Sequence, residues 1–166
     1  MITKEKATMQ TINARLWLPT NEIIDAVLDK EFYILPNFRV WELANNQAED
    51  DIKFVLPDAR SWRLLNMLQN TRNHFGRLDI NSLYRTPSFN ASIGGDKNSA
   101  HLRSWAFDVS WKVSSTENDK WVDWWKRSCE IVHEIGAIGL YNWGYHCEIG
   151  SDVLFGQTEF KIRDFR

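Results

Sequence analysis

Cysteine is nearly absent: the 166 residues hold only two, Cys129 and Cys147. So few thiols exclude a disulfide framework and a cysteine-rich metal site. Proline and glycine are sparse as well, at 4 and 8, which excludes collagen-like and low-complexity chains. No apolar run approaches the roughly 18–20 residues needed to cross a bilayer. The N-terminal MITKEKATMQTINARLWLP lacks the apolar stretch of a secretory signal. Membrane insertion is therefore not expected, and synthesis as a soluble cytoplasmic chain is. Positive charge is not in excess either. A net charge of −2 argues against nucleic acid or an anionic membrane surface as a general partner.

What is present is globular: 43% hydrophobic and 25% charged residues. The length favours a single domain over 1–166. A chain of this size buries roughly two-thirds of its unfolded surface and needs no staples. Nine tryptophans are many for this length. Their plain role is to fill a core or rim a cleft, and their sharper role is as aromatic platforms for sugars or a partner.

Periodicity outlines the elements. Thr20 can cap a short helix in which Ile23, Ile24, Val27 and Leu28 share a face. The strand EFYILP stops at Pro36, and residues 44–53 read as a polar surface loop. Asp58 opens a stronger helix striped by Trp62, Leu65, Leu68 and Arg72, which Gly76 closes. LDINSLYR is a strand running into Pro87, and Thr86 to Ala100 reads as a long ordered loop. In WAFDVSW, Trp105, Phe107, Val109 and Trp111 take one face, and Ala106, Asp108 and Ser110 the other. A helix is predicted from about Glu117 to Ile135, with Trp121, Trp124, Trp125, Ile131, Val132 and Ile135 available to the core and Gly136 at its end. Two short strands, AIGLY and GYHCEIG, and an edge strand in TEFKIRDF complete the chain. The pattern is α+β, a small antiparallel sheet flanked by helices.

A catalytic zinc takes three protein ligands and keeps one position open for water. His74 and His133 sit near the ends of apolar-striped helices and read as structural or surface residues. His101 lies in the loop before the strand that presents Asp108, and His146 lies on GYHCEIG with Glu148 on the same face. Cys147 faces the other way, as a core thiol. Taken alone, His101 and Asp108 are weak evidence for a metal.

The surrounding string, SLYRTPSFNASIGGDKNSAHLRSWAFD, resembles the M15 peptidases, a family that includes D-Ala-D-Ala carboxypeptidases and phage endolysins. The matching positions are Tyr84, Arg85, Thr86, Pro87, Asn90, Gly94, Gly95, Ser99, His101, Ala106 and Asp108, and IGLYNWGYHCEIG is similar to the family's closing motif. The resemblance covers roughly 37–150, leaving 1–36 as an N-terminal extension, and it implies the hedgehog/D-Ala-D-Ala-peptidase type of fold. It implies Zn2+ held by His101, Asp108 and His146, with Arg85 binding the substrate and steadying a developing oxyanion. Arg85, Ser99 and Tyr84 are the implied substrate contacts, Ser99 also orienting His101. Peptidoglycan stem peptides are the implied substrate, cut at the cell wall after release or as part of a virion; a monomer is expected, with the oligomeric state left open.

Two positions depart from the family. Ser104 stands where glycine is usual, so a positive φ there would strain it. Trp143 stands where many members carry the acidic general base. Strand alternation then leaves Glu148 for the acid/base role, with orientation of a ligand from behind as its other reading. An inactive structural or wall-binding relative that keeps the fold is the competing function.

Overall fold

The computed structural model describes residues 11–44, 52, 54–112 and 114–166. In chain order the elements are β1 (Thr11–Trp17), β2 (Ile23–Asp29), β3 (Tyr33–Leu35), β4 (Phe38–Arg39), α1 (Val40–Leu43), β5 (Phe54–Leu56), α2 (Ala59–Phe75) and β6 (Asp79–Ser82). Then come α3 (Pro87–Ser92), a 3-10 turn (Ala100–Arg103), β7 (Ala106–Ser110), α4 (Ser115–Ile131), β8 (Ala137–Tyr141), β9 (Gly144–Glu148), α5 (Ser151–Phe155) and β10 (Lys161–Asp164). The fold is α+β, as the sequence pattern indicates.

The central sheet has five strands in the order β10-β8-β9-β7-β6. Its pairings are antiparallel except that β10 lies parallel to β8 along the edge. Phe107 and Val109 on β7 and Tyr145 and Cys147 on β9 are fully buried. Helix α4 covers that face with Trp121 and Trp125, Trp121 stacking on Tyr145 at 4.8 Å and on Phe75 of α2 at 4.3 Å. Trp125 donates its indole N–H to the carbonyls of Ala137 and Glu148, at 3.1 and 3.2 Å. It thereby ties together the adjoining ends of β8 and β9. Most of the sheet's apolar stabilisation lies on this face, which leaves the opposite face free for polar side chains.

Helix α2 begins and ends where the sequence places it. Asp58 accepts the Ser61 N–H at 2.8 Å, and Gly76 caps the C-terminus at φ 90°. A second sheet, β2-β1-β5, carries the N-terminal segment. Ile12, Ala14 and Leu16 of β1 point into the same core as Leu64, Leu65 and Leu68 of α2. Trp62 of α2 donates to the Trp17 carbonyl at 2.9 Å.

Several local expectations are corrected. Residues 23–29 form a strand paired antiparallel with β1, not a helix. Within Thr86–Ala100 the chain forms α3, capped by the Thr86 hydroxyl and opened by Pro87. Helix α4 stops at Ile131, short of Gly136, because His133 turns left-handed at φ 57°. Ile131 is 78% exposed and so contributes nothing to the core. The expected loop at 44–53 falls almost wholly outside the described residues. No described helix is long and apolar enough to cross a membrane.

Candidate metal centre and cleft

Strand register builds the site. Ser82, Asp108, His146, Gly139 and Arg163 are successive partners across β6, β7, β9, β8 and β10. Directly opposed residues share a face of the sheet, so this one row runs across the polar side. Glycine in the row keeps the packing tight: a Cβ at Gly139 would lie 3.2 Å from His146 Cβ and 3.1 Å from the Tyr141 ring, so the neighbours would have to give by a few tenths of an ångström.

His101 reaches the row from the 3-10 turn. Its Nδ1 lies 2.7 Å from the Leu83 carbonyl oxygen, which can only accept, so Nδ1 carries the proton. The bare Nε2 then faces Asp108 Oδ1 at 3.2 Å and His146 Nδ1 at 3.2 Å. His146 Nδ1 is in turn 2.7 Å from Asp108 Oδ1. The three side chains thus offer one ligand atom each to a common point. Each is also held from behind: His101 by Leu83, Asp108 through Oδ2 by the Arg85 guanidinium at 2.5 Å, and His146 through Nε2 by Glu148 at 2.9 Å. Such outer contacts fix ring orientation and ligand basicity in metal sites.

The geometry can be tested against zinc. Ligands at roughly 2.0–2.2 Å from a tetrahedral ion stand roughly 3.3–3.6 Å apart. His101 Nε2 lies 3.2 Å from each of the other two atoms, close to that spacing, whereas His146 Nδ1 and Asp108 Oδ1, at 2.7 Å, must part by less than an ångström to admit the ion. Two imidazoles and one carboxylate are a zinc donor set with one position left over. The lone pairs of His101 Nε2 and Asp108 Oδ1 face one another, an arrangement that a shared cation reconciles. The residues fit the ion.

The charges agree with this division. Burial opposes ionisation of His101, lowering its pKa despite Asp108, so it is neutral. Burial also works against charge on His146, but its bonds to Asp108 and Glu148 prevail and raise it to about 9. Burial resists charge on Asp108 too, yet the two imidazoles hold it well below the usual carboxylate range.

Ser104 adopts φ 53°, ψ 39°, the left-handed conformation that glycine accommodates and serine resists. Its hydroxyl donates to the Val55 carbonyl, which offsets part of that strain. Gly95 is needed for a different reason. A Cβ there would lie 2.2 Å from Asn90 Oδ1, and Asn90 donates from Nδ2 to the Asp96 carbonyl at 3.0 Å. The Asn-Gly-Gly pattern therefore shapes the loop that delivers His101.

A cleft of about 380 Å³ opens onto the row. Arg85, Ser99, Asp108, His146 and Glu148 line it, so the structure brings these expected residues together. Tyr84 is not brought to it; the ring packs in the core. His74 stacks on Trp124 at 3.9 Å, and neither His74 nor His133 lines the cleft. Trp143 rims it at 44% exposure, stacked on Tyr141, which stacks in turn on Phe165. Glu148 is 2% exposed and accepts from three groups: His146 Nε2, Ser151 Oγ at 2.8 Å and Arg163 Nη2 at 2.9 Å. Burial would raise its pKa, but these partners hold it at about 2, which makes it a weak base. Sequence reading did not single out Arg163, Asp96, Phe155 or Phe165 as cleft residues. Only the pairing of β10 with β8 brings Arg163 and Phe165 there.

Residues 36–139 match the Peptidase M15 family, well over half of the 166 residues, and the chain belongs to that family. It is a peptidase by family, with peptide as its substrate class. No curated protein and no solved structure matches the chain.

Proposed function

We infer that this protein is a zinc-dependent peptidase that cleaves peptidoglycan stem peptides, with His101, Asp108 and His146 as the zinc ligands. The observation that carries this reading is the convergence of His101 Nε2, Asp108 Oδ1 and His146 Nδ1, with Asp108 and His146 lining an open cleft and His101 buried behind them. When bound, zinc supplies Lewis acidity toward a scissile carbonyl and acidifies water at the open position.

The chain's own groups do the rest. Arg85 holds Asp108 Oδ2, which leaves Oδ1 for the metal. Its Nε is anchored to Ser82 Oγ at 2.9 Å. A guanidinium fixed at two points on the cleft wall suits recognition of a substrate carbonyl or carboxylate and of the charge that grows on it. Ser99 and the Tyr141–Trp143 wall bound the space in which a peptide lies. Peptidoglycan as the target, a phage lysis or virion role, and action at the cell wall rest on the resemblance of the central motif to M15 members of that kind.

A second reading has one observation in its favour. Trp143 occupies the position of the usual acid, and Glu148, the nearby carboxylate, is already engaged by three donors. This suits a zinc-holding, non-hydrolytic wall-binding protein. Incubating the full chain with purified peptidoglycan and identifying new termini by mass spectrometry separates the two. Release of peptides that chelator abolishes is expected of the peptidase. Zinc binding with intact peptidoglycan would establish the second reading.

A further inference from the structure

We propose that Glu148 is a positioning residue rather than an acid/base, and that Arg163 of β10 completes the metal centre by holding it. This rests on the zinc reading above. It extends the site to a strand that lies beyond the family-matched segment 36–139.

The argument begins with His146. An imidazole can bind a metal through either nitrogen, and the choice is set by what the other nitrogen meets. Here Nδ1 faces Asp108 and His101, whereas Nε2 lies 2.9 Å from Glu148 Oε2. A carboxylate only accepts, so the Nε2 proton stays on the ring and Nδ1 is the atom presented to the ion. Glu148 can do this only if it is itself fixed. Its Oε1 accepts from Ser151 Oγ and Arg163 Nη2. Arg163 reaches it across Gly139, the residue of the row with no side chain. The Arg163 guanidinium also lies over the Phe155 ring at 5.2 Å, so it is held on two sides. A chain of contacts therefore runs Arg163–Glu148–His146–ion site, with no oxygen of Glu148 lacking a donor.

The test compares zinc affinity, by competition with a chromogenic chelator, in the full-length protein and its Glu148→Gln, Arg163→Ala and Arg163→Lys variants. Nitrogen-15 spectra of the histidines accompany it. Glu148→Gln is expected to weaken zinc roughly 10–100-fold, the scale for a group behind a ligand. Arg163→Ala should act in the same direction and Arg163→Lys should recover part of the loss. The His146 Nε2–H resonance should broaden or shift in Glu148→Gln. That of His101 Nδ1–H, held by Leu83, should stay in place and so report an intact fold. Arg163 is partly exposed, so its variants remain informative if the buried Glu148→Gln protein folds poorly. Unaltered protein that binds zinc, with variants within twofold of it and an unmoved Nε2–H signal, would overturn the proposal alone. Unaltered protein that binds no zinc would overturn the reading beneath it as well.

Discussion

The two larger sheets among the described residues spend their polar groups differently. In β10-β8-β9-β7-β6, charged and imidazole side chains share one transverse row, Asp108 buried and His146 and Arg163 partly so, and His101, Asp108 and His146 each have a partner fixed behind them. In β2-β1-β5 the inward residues are apolar, and the ion pair Arg15–Asp25 is exposed. Buried polar groups are costly unless satisfied, so the first arrangement persists only where it has a use. The contrast assigns the chemistry to the polar face of one sheet and a purely structural role to the other, while both contribute to the core. Substitutions should separate the two properties.

The largest effect is expected at His146. His146→Ala removes one of the three proposed ligands, so zinc affinity should fall well beyond the roughly 10–100-fold typical of a residue behind a ligand. Circular dichroism of the metal-free protein should be little changed. Phe54→Ala in β5 tests the other sheet. Phe54 is fully buried, and its loss should cost about 3–5 kcal/mol in denaturant unfolding while zinc affinity of the folded fraction is kept. A variant that lost zinc and stability together at either site would break the comparison. Arg85→Ala should lower turnover on peptidoglycan by about 2.7–4 kcal/mol in the transition state. Arg85→Lys should not restore it, because an ammonium lacks the planar fork.

Acidity sharpens the same contrast. His146 in the metal-free protein is raised from 6.5 to about 9, so zinc must displace its proton. Affinity should therefore rise about tenfold per pH unit between about pH 7 and 9, and then level off. The stability of the metal-free protein moves the other way. A raised folded-state pKa stabilises fully below the unfolded value, and the contribution is lost as pH rises through about 9. Thermal melts with and without zinc check both signs. The smallest effect belongs to Asp25→Ala, at the exposed pair with Arg15, which should leave melting and zinc binding alike unchanged.

The same two sheets show what sequence can carry. The motif around His101 and Asp108 is legible because many chemically distinct positions agree, and several acquire a structural reason: Gly95 for Asn90, and Thr86 and Pro87 for α3. The alternation in WAFDVSW separates core from site correctly, since Phe107 and Val109 are buried opposite Asp108. Strand β2 was illegible by period because Ile23, Ile24, Val27 and Leu28 satisfy helical spacing as well. The structure leaves Ile23 and Val27 58% and 68% exposed, and only Ala26 and Leu28 of the strand are partly buried, so no fully buried face exists to read. Their β-branching was the better signal. The Thr86-Pro87 cap was present in the sequence and outweighed by the polar composition after it. The contacts of Glu148 were beyond reach for another reason. Alternation puts it on the face of His146, but only the long-range pairing of β10 with β8 brings Arg163 to it.

The central claim is that these residues hold one zinc without sulfur. X-ray absorption at the zinc edge on full-length protein tests it most directly. About one ion per chain is predicted, with nitrogen and oxygen neighbours at roughly 2.0–2.2 Å and an imidazole signature that shrinks in His146→Ala. The absence of stoichiometric zinc, or a sulfur neighbour from Cys129 or Cys147, would contradict the account.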